Sequence, residues 1–262
     1  MRRKPIRFFV GGVSAMLLPT GAAAADCWSG LWFEQRELEF ILKVLEPGMT
    51  FFDVGANAGI FSLVSAARIG AESVWAFEPC AETYQLLLQN ILLNGLEGLN
   101  AIHTALGDYR GDAVLQVNRD GKDGLNTVGQ PSHPDCEIVR HELTPMITLD
   151  AFVQENAVQR IDAMKLDAEG AELPILRGGE RQFARSDAPL ILFESYGFNT
   201  KGFGYHPVEI RWFLRNCGYE LFQLDTKSGV IRTRSPHTGY DGMGIAVKTT
   251  HPSYSKIQET LQ

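Results

Sequence analysis

Between Lys165 and Glu172 the chain reads Lys-Leu-Asp-Ala-Glu-Gly-Ala-Glu, one lysine and three carboxylates close together. The run from Asp162 to Leu166 just before it has the apolar character and length of a buried strand, so these charges are expected on the turn leaving that strand. Such residues suit proton transfer. A carboxylate takes the proton of a hydroxyl when burial or a second carboxylate raises its proton affinity. Asp167 and Glu169 are the candidate bases, Lys165 is their counter-charge, and His206 is a separate candidate base, with Tyr196 a weaker one. A structural arrangement uses the same residues: Lys165 pairs with an acid, Glu169 and Glu172 face the start of the next helix, and His206-Pro207 opens another. Asp167 and Glu194, at the ends of two apolar runs, offer the oxygen ligands that a divalent cation takes, but no metal is expected.

A glycine turn supplies a second kind of chemistry. Phe51-Phe-Asp-Val-Gly-Ala-Asn-Ala-Gly59 begins apolar and ends glycine-rich, and Ile60, Leu63, Val64 and Ala67 then share one helical face. This predicts strand, tight turn and helix, with the helix N-terminus open to an anionic group. Asp53, Gly55, Asn57 and Gly59 are expected at the ligand. The next strand-like run, 73–77, ends in Glu78-Pro79, and an acid there accepts hydrogen bonds from ribose hydroxyls. Turn and acid together predict a nucleoside-containing cofactor. Asn57 stands where the dinucleotide signature G-x-G-x-x-G has its second glycine. That weakens a pyrophosphate reading and leaves room for a smaller zwitterion, such as the methionine part of S-adenosylmethionine. A nicotinamide-dependent oxidoreductase on a similar fold is the alternative, and a non-catalytic binding protein is a third reading.

Five motifs occur in order: Asp53-Val-Gly-Ala-Asn-Ala-Gly59, Ala76-Phe-Glu-Pro79, Ala105-Leu-Gly-Asp108, Thr148-Leu-Asp150 and Lys165-Leu-Asp-Ala-Glu-Gly-Ala-Glu172. The set resembles the FkbM family of S-adenosylmethionine-dependent methyltransferases. The resemblance implies a Rossmann-like class I methyltransferase fold and S-adenosyl-L-methionine as cofactor. It further implies O-methylation of a hydroxyl on a sugar or secondary metabolite, and contact of Asp108 with the adenine amino group.

The elements must bring these residues together. Leu38, Ile41, Leu42 and Leu45 predict a helix over 34–45. A helix over 58–69 follows the glycine turn. Tyr84, Leu87, Leu88 and Ile91 predict another, closed by Asn94-Gly95. A third strand is expected near 99–105. Residues 109–147 break the rhythm with glycines and prolines and read as an insertion over the mouth of the fold, with a possible strand at 114–117. Helices over 148–156 and 171–185 flank the fourth strand; a fifth strand at 189–193, a helix about Ile210 to Cys217, and strands at 220–224 and 244–247 complete the series. The alternation predicts an α/β fold: a doubly wound, mostly parallel sheet with helices on both faces. Ligands in such sheets lie beyond the carboxyl ends of the strands, where Asp53, Glu78, Asp108, Asp167 and Glu194 are all expected.

A chain of 262 residues suits one such domain, expected over 34–250, with a tail at 251–262. The formal net charge is −7, and the basic residues Arg2, Arg3, Lys4 and Arg7 make the remainder more acidic still. Such a domain repels phosphate backbones, so the expected partner is a small-molecule substrate and not a nucleic acid. Residues 1–33 form an N-terminal extension. Its basic head, apolar stretch from Phe8 to Leu18 and Ala22-Ala23-Ala24 have the layout of a secretory signal, too short to insert stably in a membrane. The competing reading is a loosely docked extension dispensable for folding. The cofactor favours the second reading and a cytoplasmic location. Cys27, Cys80, Cys136 and Cys217 have no metal-binding spacing and are expected as thiols.

Overall fold

The computed structural model describes residues 4–17, 24, 34–119, 122–225, 227, 231–233 and 241–259. The chain begins with an antiparallel hairpin of β1 (Ile6–Val10) and β2 (Val13–Leu17), turning at Gly11 and Gly12, both at positive φ. Val10, Val13, Ala15 and Leu17 are buried in the same apolar cluster as Leu63, Val64 and Leu87. The expectation of a loosely docked extension is therefore corrected. The two glycines that weaken this stretch as a helix are what a two-residue hairpin turn requires. Ala22, Ala23 and Cys27 lie outside the described residues; Cys80, Cys136 and Cys217 are free thiols.

After α1 (Gln35–Val44), βα units follow: β3 (Phe51–Val54), α2 (Ile60–Ile69), β4 (Val74–Phe77), α3 (Ala81–Leu93) and β5 (Asn100–Ile102). The expected third strand then splits. Its second part, β6 (Ala105–Gly107), leaves the main sheet and joins β7 (Gly111–Asn118) and β8 (Ile138–Thr148) in a three-stranded sheet of order β6-β8-β7. Much of the region 109–147 is thus strand rather than turn. β8 is half-buried or exposed over most of its length and exposes Val139 and Leu143 among its polar side chains, so no clean apolar alternation marks it in sequence. The remaining elements are α4 (Leu149–Glu155), β9 (Ala163–Leu166), α5 (Glu172–Gly178), α6 (Glu180–Ala184), β10 (Leu190–Ser195), α7 (Gly197–Lys201), α8 (Val208–Asn216), β11 (Glu220–Leu224), β12 (Ile231–Thr233), β13 (Gly242–Val247) and α9 (Tyr254–Gln258). The expected helix over 171–185 breaks between α5 and α6. Gly178 packs so tightly on β6 that a Cβ there would lie 2.0 Å from the Gly107 carbonyl oxygen. The C-terminal segment docks as well: Ile257 is buried, and His251 Nε2 lies 2.9 Å from the Asp162 carbonyl oxygen.

The main sheet runs β12-β11-β13-β10-β9-β3-β4-β5. Strands β5, β4, β3, β9 and β10 are parallel, and β13 is antiparallel to both β10 and β11. This is a doubly wound, mostly parallel, Rossmann-like sheet. Phe51 belongs to one apolar layer with Leu63 and Leu87, and Phe52 to the other with Phe152 and Leu176. Successive side chains of a strand face opposite ways, so β3 is buried on both faces. The strand order reverses between β3 and β9, which opens a crevice at their carboxyl ends. Among the described residues no helix is long and apolar enough to cross a membrane.

Candidate active site

The crevice is a cavity floored by Val54–Ala58, bounded by Phe77–Pro79 and Thr104–Leu106, and closed on one side by Asp123, Asn126 and Val128 from the connection between β7 and β8. Lys165, Asp167, Glu169 and Glu194 line its other end, with Glu34 beside them. The Gly55 and Ala56 amides donate to the Phe77 carbonyl at 3.1 and 2.9 Å, which ties the glycine turn to β4. Gly55 has φ 79°, and a Cβ there would lie 1.8 Å from the Asp167 carbonyl oxygen, so this glycine lets the exits of β3 and β9 approach each other. Gly59 does not line the cavity. Its φ is 88° and a Cβ would meet Leu87 at 2.3 Å, so it serves the packing of α2 on α3 rather than the ligand.

Asn57 adopts a left-handed backbone with φ 49°, which asparagine tolerates better than most residues. Its amide donates to Glu78 Oε2 at 2.8 Å, its Oδ1 accepts from the Ala58 amide at 2.6 Å, and its Nδ2 donates to Asp123 Oδ2 at 3.3 Å. Asp53 is corrected from ligand contact to support. It is fully buried and does not line the cavity, and Ser62 Oγ at the start of α2 donates to its Oδ2 at 2.5 Å. Burial raises its proton affinity, and the Lys165 charge beside it works the other way.

Glu78 is 5% exposed yet lines the cavity. It accepts from the Asn57 amide, the Cys80 amide at 2.8 Å and Thr83 Oγ1 at 2.7 Å. Burial pushes its carboxyl up to about 7 against the pull of those donors. A carboxylate has about four acceptor positions, so one remains for a ligand hydroxyl.

At the opposite end Lys165 Nζ is buried, bonds Asp167 Oδ2 at 2.8 Å and lies 4.9 Å from the Phe61 ring centroid. Burial works against its charge, but Asp167, Glu34 and Asp53 more than offset this and hold Lys165 above the ordinary lysine range. Asp167, Glu169 and Glu194 bring carboxylate oxygens within 4.8 Å of one another. Asn199 Nδ2 donates to Glu169 Oε2 at 2.8 Å and Glu194 Oε2 at 2.9 Å, which holds the two glutamates together. Burial first, and then the charge of Asp167, push both carboxyls well above the usual range. Oxygens so placed would also suit a hard divalent cation, but the Asn199 amide already bridges the pair. Glu172 plays a local part, accepting from the Ala168 and Gly170 amides at 2.9 and 3.2 Å.

Besides Asp53 and Gly59, two further expected site residues fall outside the cavity. Asp108 lies in a neighbouring cavity with Tyr109, Arg177 and Tyr205, because β6 carries it away from the main sheet. His206 lines an outer pocket with Pro207 and Asp241. Its Nδ1 accepts from the Val208 amide at 3.2 Å, and its own amide donates to Glu209 Oε1 at 2.9 Å, so it organises the start of α8. Conversely, Glu34, Asp123 and Asn126 line the cavity without having been expected there. Glu34 looks in sequence like any acid at a helix start, and the other two lie in a segment without periodicity. The residues present fit S-adenosylmethionine: an acceptor position on Glu78 suits a ribose, and a lysine among carboxylates beside the glycine turn suits a charged amino-acid tail.

The comparisons agree with this geometry. Methyltransferase 1 of Beauveria bassiana (strain ARSEF 2860) is 29% identical over 143 residues, 48% of this chain and 56% of that protein. The 31-O-demethyl-FK506 methyltransferase FkbM of Streptomyces tacrolimicus is 28% identical over 199 residues, 64% of this chain and 76% of that protein. The hexuronic acid methyltransferase AglP of Haloferax volcanii is 24% identical over 179 residues, 67% of this chain and 69% of that protein. The chain thus spans little more than half the length of the first of these relatives. The family model described as the methyltransferase FkbM domain matches residues 53–221, from β3 into β11, a span that contains the glycine turn, Glu78 and the whole Lys165–Glu194 cluster. On that match the chain belongs to the FkbM methyltransferase domain family.

Proposed function

We propose that this protein is an S-adenosylmethionine-dependent methyltransferase that methylates a hydroxyl oxygen of a sugar or secondary metabolite. The observation that carries the reading is the cavity at the β3–β9 switch point, with Glu78 at one end and the Glu169–Glu194 pair at the other. Two relatives are named for a 31-O-demethyl compound and for a hexuronic acid, which supports an oxygen acceptor. The proposed acceptor is a small molecule and not a nucleic acid, and the proposed location is the cytoplasm, where the cofactor is made.

When bound, the cofactor supplies an electrophilic methyl group on a sulfonium. The chain supplies placement and a base. Glu78 holds the ribose, and the turn from Gly55 to Ala58 supports the methionine half. Asp167, engaged by Lys165, sets the negative field that raises the proton affinity of its two neighbours. Glu169 or Glu194, each fixed through Oε2 by Asn199, takes the acceptor's hydroxyl proton as its oxygen becomes the nucleophile. Of the two candidate bases, Asp167 and Glu169, this reading keeps Glu169, adds Glu194 and leaves Asp167 to set the field.

The test is incubation with methyl-labelled S-adenosylmethionine and a panel of neutral sugars, uronic acids and polyketide alcohols. The expected outcome is label in an alkali-stable ether. Label in an alkali-labile ester or on nitrogen would overturn the hydroxyl acceptor. A protein that neither transfers label nor binds the cofactor would overturn the reading as a whole.

A further inference from the structure

Glu34 stands immediately before α1 in a left-handed backbone conformation, φ 46° and ψ 46°. A residue with a side chain rarely adopts it, and such positions concentrate at ligand sites. The side chain lines the cavity beside Lys165 and Asp167. Its Oε2 is shut off from solvent and has no hydrogen-bond partner among the described residues. A buried carboxylate oxygen without a donor is strongly unfavourable. The lysine of the cavity does not relieve it, because Lys165 gives its ion pair to Asp167. A ligand that brings its own positively charged donor would.

The charges around this position narrow the ligand. Glu34 and Lys165 are opposite in sign and line the same cavity as the glycine turn. A free amino acid end, with one ammonium and one carboxylate, complements that pair. A neutral or purely anionic group would leave Glu34 unmet. Resting on the methyltransferase reading above, we propose that the Glu34 carboxylate accepts the α-ammonium of the cofactor's methionine half, with Lys165 facing the α-carboxylate. Glu34 lies outside the span 53–221 matched by the family model, so the contact comes from this chain's own N-terminal region.

The experiment compares two ligands by calorimetry. S-adenosylhomocysteine carries the amino-acid end; 5′-methylthioadenosine keeps the adenosine and the sulfur but lacks that end. Glu34→Gln should weaken S-adenosylhomocysteine by about tenfold or more, the worth of a charge-assisted bond, and change 5′-methylthioadenosine by less than about twofold. Glu34→Asp keeps the charge on a shorter arm and should fall between. The ligand-free Glu34→Gln protein should melt no lower than the wild type, because it loses a buried carboxyl group whose Oε2 has no donor. Unchanged affinity for S-adenosylhomocysteine, an equal loss for both ligands, or a variant that fails to fold would each overturn the proposal. Failure of the wild type to bind either ligand would instead remove the methyltransferase reading on which it rests.

Discussion

Glu78 and Glu194 each lie at the carboxyl end of a strand in the same sheet and line the same cavity, yet the chain treats them differently. Glu78 accepts three hydrogen bonds, from the Asn57 and Cys80 amides and the Thr83 hydroxyl. Glu194 has the Asn199 amide, which it shares with Glu169, and it lies beside Asp167. Burial raises the proton affinity of both; at Glu78 three hydrogen bonds oppose it and Asp123 adds less than any of them, whereas at Glu194 the charges of Asp167, Glu169 and Glu172 follow burial directly and outweigh the Asn199 bond. A charge pinned by donors is a fixed platform and suits binding. A charge crowded by like charges gains by taking a proton and suits chemistry. On the proposed reading, one end of the cavity would hold the cofactor and the other would carry the chemistry.

The sharpest way to break this division is at the reactive end. Glu169→Gln and Glu194→Gln, made separately, should lower turnover by about 10²-fold or more in at least one case, the usual worth of a positioned base. Affinity for S-adenosylhomocysteine, read by calorimetry, should change little in both. If both variants turn over an identified acceptor at the wild-type rate, the cluster is structural. At the holding end the pattern should reverse. Glu78→Ala should weaken S-adenosylhomocysteine by about 1–3 kcal/mol and lower the melting temperature, since it strands the Asn57 and Cys80 amides. Unchanged affinity would take Glu78 out of the site.

Smaller effects sharpen the same contrast. Asn90 is fully buried and its Nδ2 donates to the Ala58 carbonyl at 2.7 Å and to the Met16 carbonyl at 3.1 Å, while its Oδ1 accepts from the Met16 amide at 2.6 Å. It ties the N-terminal hairpin to the glycine turn. Asn90→Ala should cost about 1–2 kcal/mol of stability, measured by denaturant unfolding, and should loosen the holding end more than the reactive end. A variant as stable as the wild type would show the hairpin to be incidental.

The ligand-free protein should also lose stability as pH rises from about 5 to about 8. Burial lifts Glu34 to about 8 and Glu78 and Glu172 to about 7, from an ordinary value of 4.5. A raised carboxyl keeps its proton in the folded chain after the unfolded chain has released it. The stabilisation is therefore fully present below about 4.5 and is lost as pH climbs through those folded-state values. His251, drawn down by burial, acts in the opposite sense. Melting temperatures that stay flat or rise over this interval would contradict the assignment, and Glu34→Gln should flatten the upper part of the slope.

The sheet and the holding end were largely legible from the sequence. Parallel strands buried on both faces read as short unbroken apolar runs, as at Phe51-Phe52 and Leu190 to Phe193, and a glycine turn followed by a strand-end acid is a local pattern. What was not legible depends on contacts between distant segments. A basic head and a small apolar hairpin have the same composition as a signal segment, and among the described residues it is Asn90 and Asn94, far along the chain, that anchor the hairpin's backbone. Asp108 carries a family-like motif, but the departure of β6 into a second sheet moves it out of the cavity. Asp53 has the right neighbours in sequence, yet its side chain points under the turn toward Ser62. Glu34 shows its importance only through its backbone angle and its unmatched oxygen, neither of which leaves a mark in the sequence.

The most direct test of the central claim is calorimetric titration of the wild-type protein with S-adenosylhomocysteine and, separately, with NAD. The cavity as described predicts one S-adenosylhomocysteine per chain, bound in the micromolar range or tighter, and no heat from NAD. Binding of NAD with no response to S-adenosylhomocysteine would contradict the account.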